Sequence, residues 1–181
     1  MPRLLVPVLA ALALLAAGCG GDGNGGDETL STSEWADGFC GAITTWTDSL
    51  QSAVEDFTGG NISKEALQEA ADEIESSTQT FTDDLKDLDR PDTETGQEAK
   101  DLLDGLDETL NQDAAELKST VEDAAPTDIL ETVSTVTAKL GTMSQQVSST
   151  FQQLDQLDAS NELKQAFEEA DSCDEIPSAQ R

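Results

Sequence analysis

STSEWADGFCGAITTWTDSLQSAVEDFTGGN, running from Ser31 to Asn61, is the stretch from which the fold can be read. Trp35, Phe39, Ala42, Ile43, Trp46, Leu50, Val54 and Phe57 recur at steps of three and four, which draws a single apolar stripe along a helix. Ser31 and Glu34 have the spacing of a capping box, so the helix is expected over residues 32–57. Gly59-Gly60-Asn61 is expected to stop it, because glycine accepts the left-handed backbone that closes helices.

The same period continues outward from that stretch. A second helix is predicted from Ser63, with Ile62 and Leu67 placed as a hydrophobic staple and a stripe of Leu67, Ala71, Ile74, Thr78, Phe81, Leu85 and Leu88. Pro91 opposes its continuation. A third helix, over residues 95–124, turns Ala99, Leu102, Leu103, Leu106, Leu110, Ala114, Leu117 and Val121 inward. After Pro126 a fourth begins near Thr127 or Asp128, with Ile129, Leu130, Val133, Val136, Leu140, Met143, Val147, Phe151, Leu154 and Leu157 as its apolar set. Gly141 lies inside it and costs about 1 kcal/mol relative to alanine, so a local bend is allowed there. A short fifth helix, 161–172, contributes Leu163, Ala166, Phe167 and Ala170, and Cys173 follows in register. Four long amphipathic helices with short connections bury their stripes most economically as an all-α, antiparallel up-down bundle, here with a short C-terminal helix added. An extended coiled coil made with a second chain is the competing arrangement. No alternating strand pattern is present.

The amino terminus follows different rules. Arg3 precedes an unbroken apolar run from Leu4 to Ala17, too short to span a bilayer comfortably and placed as an export signal. Its end, Leu15-Ala16-Ala17-Gly18-Cys19, resembles the lipobox of bacterial lipoproteins, although Ala stands at the third position before the cysteine where that class prefers Leu. The alanine-rich signal and the Asp/Thr-rich, Lys-poor body are similar to small actinobacterial lipoproteins. The resemblance implies removal of residues 1–18, lipidation of Cys19 and anchoring at the outer face of the cell membrane. Two or more acyl chains hold firmly where one holds marginally. Residues 19–30, rich in Gly and Asp, then read as a tether, 31–176 as the bundle domain and 177–181 as a tail.

With Cys19 assigned to lipid, Cys40 and Cys173 remain as a pair in an oxidising compartment. In an up-down bundle a fifth helix turning back from the end of the fourth brings Cys173 beside the lower part of the first, where Cys40 sits. Two buried free thiols are the other arrangement.

Net charge is −29, from 38 acidic and 9 basic residues. Such a surface repels nucleic acid and anionic headgroups, and attracts cations or basic partners. A salt-rich host or plain solubility would favour the same composition. Histidine and tyrosine are absent, which removes the usual nucleophile–base pairs and histidine metal sites. No phosphate-binding glycine loop and no nucleophile elbow occur. Carboxylates cluster at Asp83, Asp84, Asp87 and Asp89, at Asp101, Asp104, Asp107 and Glu108, and at Glu168, Glu169, Asp171, Asp174 and Glu175. On helices they read as solvated faces rather than as a converging oxygen cage. Trp35 and Trp46, eleven residues apart, share the core face. Asn61-Ile62-Ser63 matches a glycosylation acceptor, yet reads as a helix cap in a bacterial chain.

The expectation is therefore a non-catalytic, membrane-anchored extracytoplasmic module with no cofactor and no metal. Its partner would be an envelope protein. The alternative is a bundle holding a cation or a small apolar ligand between its helices.

Overall fold

The computed structural model describes residues 29–59, 62–157, 161–174 and 176, with the side chains of 56–58 excluded. Expectations placed on residues 1–28 (Cys19 among them), the Phe57 side chain, Gly60, Asn61, Glu175 and 177–181 lie outside the described residues.

The chain is an all-α bundle. In order come β1 (Thr29–Leu30), α1 (Thr32–Thr58), α2 (Lys64–Asp87), β2 (Arg90–Pro91), α3 (Gly96–Asp123), α4 (Ile129–Leu157), α5 (Glu162–Glu169) and α6 (Asp171–Asp174). The first four helices alternate in direction. Trp46 of α1 meets Thr78 and Phe81 of α2, Lys118 and Lys86 tie α3 and α2 in reversed order, and Asp113 of α3 meets Lys139 of α4. The short helices α5 and α6 pack on α1, and α5 also touches α4. They close one end of the seam between the first and fourth helices.

Local chemistry sets the boundaries. The Ser31 hydroxyl accepts the Glu34 N–H at 3.3 Å and donates to the Glu34 carboxylate, so the two residues cap α1 together. Ser63 caps α2 by accepting the Ala66 N–H at 3.2 Å, while Ile62 of the expected staple stays 41% exposed. Gly59 closes α1 with φ −79°, in the ordinary helical region; the left-handed closure expected of this stretch does not occur at Gly59. Among the described residues Asn161, with φ 63°, is the one that takes a left-handed backbone, and it starts α5.

The predicted fifth helix is two helices. Extended backbone at Ala170 (ψ 115°) ends α5 and redirects the chain, and one turn of α6 then lies on the start of α1. The Ser172 hydroxyl is within 3.1 Å of both the carbonyl and the carboxylate of Asp37 there.

A two-residue parallel ladder, absent from the sequence reading, joins Thr29–Leu30 to Arg90–Pro91. The Asp92 N–H extends it by donating to the Leu30 carbonyl at 2.9 Å. The segment before α1 is thereby held by the α2–α3 connection, and the last two residues of the expected tether belong to the folded body. Gly96 makes that connection possible, because a Cβ at this position would collide with the Pro91 carbonyl.

The stripes form one core containing Trp35, Phe39, Ile43, Trp46, Ile74, Phe81, Leu103, Leu110, Leu117, Met143, Val147 and Leu154. Leu130 departs from expectation at 77% exposed. Ile129 lies on the line of the buried Val136, Leu140 and Val147, and Leu130, about 100° further round the helix, falls outside it. The helix turns Ile129 and Val133 toward the core and leaves Leu130 outside.

Candidate functional site

The C-terminal helices and the first turns of α1 enclose the densest cluster. Phe167 of α5 packs 4.8 Å, centroid to centroid, from Phe151 of α4 and 6.0 Å from both Trp35 and Phe39 of α1. Trp35 and Phe39 stack at 5.6 Å. Beside them Cys40 and Cys173 form a disulfide with Cα atoms 4.9 Å apart, and neither residue is exposed. The expected pair is thus brought together. Burial on all sides makes it a structural tie rather than a reactive thiol site.

Both tryptophans are core. Trp46 is stacked on Phe81 at 5.1 Å, and its indole N–H donates to the buried Thr78 hydroxyl at 3.2 Å. Neither tryptophan offers a ring to solvent, so no stacking platform forms there.

The carboxylate clusters face outward, with two modifications. Asp107 is half-buried, 3.1 Å from Lys86 and accepting from the Asn111 amide at 2.7 Å. The hydrogen bond to Asp107 holds the Lys86 ammonium above its ordinary pKa. Asp104 pairs loosely with Lys100 at 3.5 Å. Among the described residues no group of three or more His, Cys, Asp or Glu is placed to hold a metal ion, and no helix is long and apolar enough to cross a membrane.

The lysines are the residues whose roles the sequence did not disclose. Lys64 at the start of α2 donates to the last carbonyls of α3, at Glu122 (2.9 Å) and Ala124 (2.7 Å). Lys100 near the start of α3 donates to the last carbonyls of α2, at Leu85 (3.3 Å) and Lys86 (3.0 Å). Each helix supplies the cation that its antiparallel neighbour needs at its negative end. Lys118 bridges back to Glu75 (2.7 Å) and Asp72 (2.9 Å), and these hydrogen bonds raise its pKa well beyond the usual lysine value.

Across the α3–α4 seam, Asp113 is buried and bonded to Lys139 at 2.7 Å and to the Gln146 amide at 2.9 Å. Lys139 also reaches Glu116 at 2.8 Å. The Asp113 hydrogen bond, then that of Glu116, raises the Lys139 pKa; in return Lys139, then Gln112, holds Glu116 below the ordinary glutamate value. Asp113 lies three residues after Leu110 and four before Leu117, so its inward position was readable from register even though its partner was not.

Beside this brace, shallow grooves follow the α3–α4 seam. One of about 340 Å³ is lined by Glu116, Thr120, Thr135, Val136, Lys139 and Thr142, and one of about 460 Å³ lies toward the Leu157 end. Their walls carry no convergent set of donors and no nucleophile–base pair. The geometry is that of a braced helical scaffold with solvent-facing helix surfaces. Set beside known proteins, the chain matches no family model, no curated protein and no solved structure.

Proposed function

We propose that the protein is a lipoprotein, anchored through Cys19 at the outer face of a bacterial cell membrane. Its bundle acts there as a non-catalytic binding module for another envelope protein. The observation that carries this reading is the buried Cys40–Cys173 bridge. It accounts for two of three cysteines, fits an oxidising compartment, and leaves Cys19 in a context that resembles a lipobox. Nine residues separate Cys19 from Thr29, at most about 35 Å of extended chain from one to the other, so the bundle stays close to the membrane it is tied to.

Non-catalytic action is supported by the chain's lack of histidine and by the burial of its tryptophans and disulfide sulfurs. Cys19→Ser tests the anchor. The variant is expected to leave the membrane fraction and to lose the mass of the acyl groups. Unchanged fractionation and unchanged mass refute lipidation. Crosslinking in intact cells tests the binding role, and is expected to recover one defined envelope protein.

A further inference from the structure

Helices α5 and α6 cannot stand alone. They have eight and four residues, below the length at which an isolated helix persists in water. Their form depends on docking, which buries Leu163, Ala166, Phe167, Ala170 and Ile176 against the bundle. The chain changes direction at Asn161, with its left-handed φ of 63°, and again at the extended Ala170. The segment therefore lies on α1 as a strap rather than prolonging α4.

Two effects oppose that docking. The strap carries five carboxylates and one lysine, and it packs on the first turns of α1, where Glu34 and Asp37 are exposed. Like charge is thus gathered at this contact. Trp35, packed beside Phe167 and wholly buried, finds no acceptor for its indole N–H among the described residues. The docked state therefore bears the cost of a dry, unpaired donor.

Against these stand the apolar contacts, the Ser172 hydroxyl on Asp37 and the covalent link from Cys173 to Cys40. The long helices have ties of their own that involve none of these residues. Trp46 with Thr78, Lys118 with Glu75 and Lys139 with Asp113 all lie within α1 to α4. We propose that α5 and α6 form a redox-latched strap. With Cys40 and Cys173 joined, it covers Trp35, Phe39 and Phe151; with them reduced, it lifts and opens that aromatic face while the four-helix body stays folded.

The reductant is a dithiol. One of its thiolates attacks a cysteine sulfur, its second thiol resolves the mixed disulfide, and it leaves as a disulfide itself. Two electrons and two protons pass to Cys40 and Cys173, which end as thiols. Neither cysteine is exposed while the strap is down, so a transient loosening of α6 precedes the attack and makes it slow. Nothing in this device depends on lipid anchoring.

Two measurements on the purified full chain test it, each made on the oxidised protein, on the same protein held in dithiothreitol, and on the Cys40→Ser/Cys173→Ser double variant. The reduced chain carries no substitution, so a variant that folds poorly does not decide the outcome. A lysine-specific protease should cut after the exposed Lys164 about tenfold faster once the link is gone, with cutting after Lys118 and Lys139 unchanged. Neutral acrylamide should begin to quench one of the two tryptophans. Reoxidation of the reduced chain should reverse both changes. An unchanged rate at Lys164, faster cutting at all three lysines, quenching of neither tryptophan or of both, or no recovery on reoxidation overturns the proposal.

Discussion

Trp46 and Thr78 are 32 residues apart in sequence, on neighbouring helices, yet each completes the other. The indole needs an acceptor inside a dry core, and a threonine hydroxyl on the facing stripe provides one. Thr78 occupies a stripe position that the period identifies, but the period says nothing of which residue opposes it. Thr78→Val keeps the shape and removes the acceptor, leaving a buried N–H without a partner. It should cost about 1–2 kcal/mol in urea unfolding, with helix content unchanged. Leu130 marks the opposite limit of such reading. Counting apolar letters at threes and fours admitted both it and Ile129, whereas the buried stripe of α4 is centred on the line of Ile129, Val136 and Val147 and passes Leu130 by.

The helices themselves were legible as elements because each carries a long, strongly periodic stripe and a proline or glycine near a junction. What lay beyond the sequence was how so few cations serve so many carboxylates. Lys64 and Lys100 act at their neighbours' last carbonyls, and the antiparallel order places them there. The Lys139 brace on α3 and α4 has a definite pH dependence. Glu116, with its pKa lowered by Lys139, contributes fully above the ordinary glutamate value, and the contribution is lost as pH falls through the lowered one. Lys139, with its pKa raised by Asp113, contributes fully below the ordinary lysine value and loses the contribution as pH rises through the raised one. The brace therefore holds across the neutral range. Lys139→Met should lower stability by about 1–3 kcal/mol at neutral pH, because it leaves the buried Asp113 with only Gln146. The gap to the unaltered chain should narrow in strong acid and in strong base; a pH-independent gap in thermal midpoint would contradict the ion-pair account.

Over the whole molecule, like-charge repulsion is an unfavourable term that salt can relieve. A chain of net charge −29 that folds largely into a bundle about 44 Å long repels itself, and at low ionic strength that repulsion reaches across the bundle. Raising monovalent salt should therefore lift the thermal midpoint by several degrees, equally for sodium and potassium. A response to one cation alone would instead indicate a specific ion site. The bundle architecture and the pairing of Cys40 with Cys173 were both readable, since alternating helices return the last segment to the first. The Thr29–Leu30 ladder was not, because two residues of backbone pairing leave no periodic trace.

The Cys40–Cys173 link has a consequence for survival under proteolysis. Cys40 and Cys173 are 133 residues apart, and the sulfur link turns the backbone between them into a closed ring. A protease that cuts the exposed Ala125–Asp128 turn opens the ring without releasing a fragment. Both halves remain one covalent molecule, joined through the end from which the chain leaves toward its amino terminus. A single nick thus releases nothing, and separating the halves requires a reductant.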